Sequence, residues 1–131
     1  MANWTPDSFV AKQFAVGNRY LPPPDGLPAP ILWGDERVVR ERLAEYASEI
    51  RTSRQAVEFD FPFPPNAVVQ FFRDYFGPTQ VAFSRLPAGA QASYAADLES
   101  QWREHNGSRR AYGRAWRISG SDCHASLTLS G

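Results

Sequence analysis

The chain has 131 residues, 43% of them hydrophobic and 14% aromatic, which suits one globular domain around one core. Fourteen basic residues balance fourteen acidic ones, so no whole-chain field favours nucleic acid or an anionic membrane surface. Cys123 is the sole cysteine, which excludes an intramolecular disulfide framework and a multi-cysteine zinc site and fits a reducing cytoplasm.

The opening residues, Met-Ala-Asn-Trp-Thr-Pro-Asp, carry no basic segment followed by an apolar run. Nowhere do about eighteen apolar residues run together, so no membrane span is expected. A soluble, cytoplasmic protein is the expectation. A first helix is predicted from Pro6, with Thr5 as its cap, Asp7 at the positive end of the dipole, and Trp4 and Phe9 in the two hydrophobic-staple positions. Gly17 and Asn18 should end it, and the five prolines between Leu21 and Pro30 favour an extended connector.

A second helix is predicted over Asp35 to Ala47, with Val39, Leu43 and Tyr46 on one face. The clearest strand follows: Val57, Phe59, Phe61 and Phe63 alternate with Glu58, Asp60 and Pro62, giving one aromatic face and one acidic or broken one. A third helix starts near Pro65 and carries Val68, Val69, Phe72 and Phe76, with Gly77-Pro78 as a left-handed cap and stop. A short helical piece over Gln80 to Leu86 precedes a fourth helix, from about Ala90 to His105, with Tyr94, Leu98 and Trp102 at four-residue spacing.

Beyond Gly107 two short segments, Ala111 to Ile118 and Cys123 to Leu129, are joined by Ser119 to Asp122 in the pattern of a β-hairpin. These elements divide the chain into a domain over 1–107 and a tail over 108–131. The fold expected is α+β, about four helices on a small, largely antiparallel sheet. Phe59, Phe61, Phe72, Leu98 and Trp102 should form its centre, joined by Val57, Phe63, Val69, Phe76, Leu43 and Tyr94.

The residues capable of chemistry are few. His105 sits where an imidazole caps a helix C-terminus. Cys123 and His124 are neighbours on a strand and face opposite sides, so they form no catalytic pair with each other, and His105 with Cys123 lacks a third group to orient it. Glu58 and Asp60, with no histidine beside them, read as exposed strand charges, and Asp97, Glu99, Arg103 and Glu104 as a solvated helix face. No catalytic or metal-binding set is therefore assigned. Tyr20 and Trp33 flank the proline-rich connector, where aromatics either pack on the prolines or line an apolar pocket.

Three segments in order, Ala2-Asn3-Trp4-Thr5-Pro6, Leu21-Pro22-Pro23-Pro24 through Pro30-Ile31-Leu32-Trp33-Gly34-Asp35-Glu36, and Phe76-Gly77-Pro78-Thr79, resemble the later part of class I S-adenosylmethionine-dependent methyltransferases of the type 11/25-like kind. The likeness covers Ala2 to Asn106. It implies that the aromatic strand around Phe59 is the sixth of such a sheet. Asn3, Trp4, Phe9, Tyr20 and Trp33 would then lie on the side of the small-molecule methyl acceptor.

In complete members S-adenosylmethionine is held by a strand, a Gly-rich turn and a helix N-terminus. None of the nine glycines here forms a Gly-x-Gly turn, and Met1 falls where the fifth strand would already have finished. The tail also lacks the apolar, β-branched run of the family's last strand. The resemblance thus implies an acceptor-side portion, inactive and without cofactor by itself unless a partner chain supplies the missing half. The alternative is a non-catalytic binding module or homodimer, using the apolar surface that the missing sheet would cover.

Overall fold

The computed structural model describes residues 2–105 and 116–130, the last stretch by its backbone. In chain order the elements are β1 (Ala2–Trp4), α1 (Phe9–Tyr20), a 3-10 turn (Pro30–Gly34), α2 (Glu36–Leu43), β2 (Glu49–Phe61), α3 (Pro65–Tyr75), α4 (Gly77–Arg85), α5 (Ala88–Glu104) and β3 (Trp116–Ser130). The three described strands form one sheet in the order β1-β3-β2. Ala2, Asn3 and Trp4 pair antiparallel with Ser126, Ala125 and His124. The class is α+β, as expected, with five α-helices among the described residues where the sequence suggested about four.

The chain divides into two compact units. The first contains the chain up to Lys12, Pro24–Val57 and the part of β3 from Ser121 onward; the second contains Gln13–Pro23 and the chain from Glu58 to Gly120.

In the first unit, α1 begins three residues later than the sequence suggested. The Ser8 hydroxyl accepts the Ala11 amide at 3.1 Å, the N-cap bond, because the buried Thr5 hydroxyl is already bonded to Asp7 and Pro6-Asp7 lie in a turn closed by Ser8 N–H to Thr5 C=O at 3.0 Å. Trp4 and Phe9 consequently do not occupy the staple positions of this helix. Gly26, at φ +80°, takes the left-handed position of a turn from Pro24 to Leu27 that glycine enters without steric cost. Helix α2 is capped by Asp35, whose Oδ1 accepts the amides of Arg37 at 2.9 Å and Val38 at 3.2 Å. It ends at Leu43, and Tyr46 is 80% exposed and outside the core.

In the second unit, α3, α4 and α5 pack with the aromatic end of β2. Val68, Val69, Phe72, Phe83, Tyr94, Leu98 and Trp102 are buried, and Phe72 meets Trp102 at 5.5 Å between ring centroids. Phe59 and Phe61 approach Trp102 edge-on at 6.2 and 5.5 Å, the arrangement aromatic quadrupoles favour. Gly77 and Pro78 start α4 rather than stopping α3. Phe76 turns to extended backbone (φ −105°, ψ 107°), and Pro78, whose ring presets a helical φ and whose missing N–H costs nothing in a first turn, suits the opening of a helix. Gly17 and Asn18 likewise do not end α1, which continues to Tyr20.

Two further expectations are corrected. Val57, read as core, is 37% exposed, and β2 starts eight residues before it at Glu49. The turn proposed at Ser119–Asp122 lies inside one strand, Trp116–Ser130, and residues 106–115, with most of the proposed hairpin's first arm, lie outside the described residues. The Ser, Gly and Asp that suggest a turn are accommodated because strand pairing supplies the backbone bonds that local turn chemistry would otherwise supply.

Candidate functional site

Asn3, Trp4 and Trp33, three of the residues singled out in the sequence, belong to one local structure in the first unit. The Asn3 side chain bridges two segments: its Nδ2 donates to the Pro30 carbonyl at 3.2 Å and its Oδ1 accepts the Trp4 amide at 2.9 Å. The 3-10 turn then brings Gly34 directly onto the backbone of Trp4, where a Cβ would lie 1.8 Å from the Trp4 carbonyl oxygen. Only glycine permits that approach. Trp33, half-buried within the same turn, has its ring covered by the Arg42 guanidinium at 4.8 Å. Both tryptophans keep part of their surface exposed, whereas Phe9 is buried in the core.

Polar groups around this structure are ordered by charge. Asp7 has its carboxyl held below the usual value by the Thr5 hydroxyl, by its own backbone amide and by Arg54, partly opposed by desolvation. Arg54 also reaches Glu36 at 3.3 Å, Glu36 accepts the Thr52 hydroxyl at 3.1 Å, and Arg40 donates to the Ile50 carbonyl at 2.9 Å. These bonds tie α2 to β2 and leave the carboxylates engaged in structure.

Tyr20 belongs to the second unit. Its hydroxyl donates to Asp97 Oδ2 at 2.8 Å, its ring meets Tyr94 at 5.4 Å, and the bond to Asp97, followed by desolvation, raises its phenol above the ordinary value. Asp97 also lies 3.5 Å from Arg19, so it fastens the end of α1 to α5 rather than facing solvent alone. Glu99 pairs with Arg103, and His105 Nδ1 lies 2.9 Å from the Gln101 carbonyl, the capping contact expected of it. The side chains of Glu58, Cys123 and His124 lie outside the described residues. Among the described residues no group of three or more His, Cys, Asp or Glu is placed to hold a metal ion.

The residues also bear on a bound S-adenosylmethionine. Two joints among the described residues lead from a strand into a helix, β1 to α1 through Thr5–Ser8 and β2 to α3 through Pro62–Pro64. Neither contains glycine. Each contains proline, which has no amide hydrogen to donate to a nucleotide, and the Ala11 amide at the start of α1 is already bonded to Ser8. These joints do not fit that cofactor.

One cleft escaped the sequence reading. It has a volume of about 390 Å³ in the second unit and is lined by Arg73, Asp74, Gln80, Phe83, Ser84 and Gln91. Its residues come from three helices with no shared motif, so no local pattern signals it.

The chain is 29% identical over 98 residues to an uncharacterized protein of Mycobacterium tuberculosis, a match covering 74% of this chain and 36% of that protein. A second uncharacterized protein, of Mycobacterium bovis, is 30% identical over 100 residues, covering 76% of this chain and again 36% of the relative. The chain thus spans little more than a third of the length of the curated relatives it matches. No family model matches the chain. No solved structure matches it either. No helix among the described residues is long and apolar enough to cross a membrane.

Proposed function

We propose that this chain is the acceptor-side portion of a class I S-adenosylmethionine-dependent methyltransferase, a cytoplasmic protein that alone binds no cofactor and transfers no methyl group. The observation that carries the reading is the junction at Asn3. Two segments of the resemblance, Ala2–Pro6 and Pro30–Glu36, lie 27 residues apart at that bond and are locked together by Asn3 on Pro30 and by Trp4 on Gly34. Trp4 and Trp33 would then offer partly exposed aromatic surface to a small-molecule acceptor. The length of the relatives leaves ample room for a separate cofactor-binding half.

Calorimetry tests this directly. S-adenosylmethionine added to a longer relative should release heat of binding, and the same titration of this chain should release none. A relative that binds no S-adenosylmethionine removes the reading, and binding by this chain alone contradicts the proposed division of labour.

A second reading, a non-catalytic module that dimerises, draws on Phe71 and Tyr75. Their rings lie 5.0 Å apart on α3, yet they are 41% and 76% exposed. Sedimentation equilibrium on the wild type and Tyr75→Ser decides it: a dimer weakened by the substitution supports this reading, and a monomer at all concentrations rejects it.

A further inference from the structure

The cleft of the second unit contains a cation held ready by neutral groups. Arg73 stands in the last turn of α3, with its guanidinium carbon 4.6 Å above the Phe83 ring and one Nη2 hydrogen bond to Gln91 Oε1 at 3.3 Å. Gln91 is itself fixed, since its Nε2 donates to the Leu86 carbonyl at 2.8 Å, which turns its oxygen toward Arg73. Stacking and this clamp remove much of the rotamer freedom that an exposed arginine otherwise loses on binding. A guanidinium has five N–H donors, and Arg73 spends one. Among the described residues it has no carboxylate partner, as is also true of Arg40, Arg42 and Arg85.

The same cleft contains an anion. Asp74 Oδ1 accepts Gln70 Nε2 at 2.8 Å, and its other oxygen remains available to a donor. The Ser84 hydroxyl spends its hydrogen on the Val81 carbonyl at 2.9 Å, so toward the cleft it can only accept. A lining with one cation, one carboxylate and an acceptor hydroxyl suits a ligand that carries one carboxylate and at least one O–H or N–H donor. A dianion would meet the negative charge of Asp74 and lose what it gains from Arg73. The volume, about 390 Å³, lies at the small end of small-molecule sites, roughly 300–1,000 Å³.

We propose that this cleft binds small monocarboxylates bearing a hydroxyl or amino donor, with Arg73 taking the carboxylate and Asp74 the donor. The proposal is independent of the Asn3 junction that carries the methyltransferase reading, which lies in the first unit.

The test is a ¹⁵N–¹H correlation titration of the full chain with glycolate, acetate and inorganic phosphate, following the Arg73 Nε–H and Gln91 side-chain amide signals. Glycolate should shift both saturably. Acetate, which lacks the donor, should bind about two- to tenfold more weakly, the effect of one hydrogen bond, and phosphate more weakly than glycolate. Arg73→Gln should abolish the Gln91 shift, while Arg85→Gln, outside the cleft, should leave it unchanged. Asp74→Asn should bring phosphate level with glycolate or above it. Absence of a saturable shift, an undiminished Gln91 shift in Arg73→Gln, or a wild-type preference for phosphate would each overturn the proposal.

Discussion

Gly34 rests on the peptide of Trp4: a side chain at position 34 would meet that residue's carbonyl oxygen at 1.8 Å and its carbonyl carbon at 2.6 Å. Backbone cannot retreat as a flexible side chain can, so Gly34→Ala should cost about 3 kcal/mol or more, at or beyond the upper end of ordinary overpacking. Gly89→Ala, where the new methyl meets nothing within 4 Å, serves as the control and should be neutral or stabilising. Urea denaturation followed by circular dichroism measures both, and a Gly34→Ala midpoint equal to that of the wild type contradicts this packing.

Gly17 should respond with the opposite sign. It lies inside α1, where glycine costs backbone entropy, and a Cβ there would make an ordinary contact, 3.4 Å, with the Tyr94 hydroxyl. Gly17→Ala should stabilise the protein by about 0.5–1 kcal/mol. A loss of thermal stability would mean that the helix is not continuous through this position.

Burial separates two residues that the sequence placed together in the core. Leu98 is 2% exposed and Val57 37%. Leu98→Ala should cost about 2–5 kcal/mol, and Val57→Ala should stay within about 0.5 kcal/mol of wild type. Equal losses from the two substitutions would show that Val57 is buried in solution.

Two phenols make the fold sensitive to alkali. Tyr94 titrates above its ordinary value of 10.0 because burial disfavours the phenolate, partly offset by a hydrogen bond with Thr79; Tyr20 does so chiefly through its bond to Asp97. A raised value in the folded state means that the associated stability is complete below pH 10.0 and declines as pH rises through the folded values. Denaturation midpoints should therefore drop above pH 10.0, and Tyr94→Phe with Tyr20→Phe should flatten the drop. An unchanged slope in the double variant assigns the alkaline loss to other groups.

The legible parts of the fold were those with strong periodicity or unambiguous caps. The stripe Val68, Val69, Phe72, the series Tyr94, Leu98, Trp102 and the His105 cap all appear as their spacing suggested. Punctuation by glycine and proline was less reliable. Gly17-Asn18 and Gly77-Pro78 read as stops, yet Gly17 is helical where the Tyr94 hydroxyl comes close, and Gly77-Pro78 opens a helix. The candidate acceptor residues were only partly assembled: Asn3, Trp4 and Trp33 share one structure, Phe9 is core, and Tyr20 serves the junction of α1 with α5.

Local chemistry, acting within a few residues, determined where α3 and α5 form, which faces they bury and that the class is α+β. Tertiary structure alone decided the juxtapositions: Gly34 on Trp4, Tyr20 on Asp97, and Arg73 with Gln91 beside Asp74. The physical reason is one of range. Propensity and periodicity act over one or two helical turns, whereas these contacts join residues 18 to 77 positions apart, and their energy exists only after the chain has paid the entropy of bringing them together.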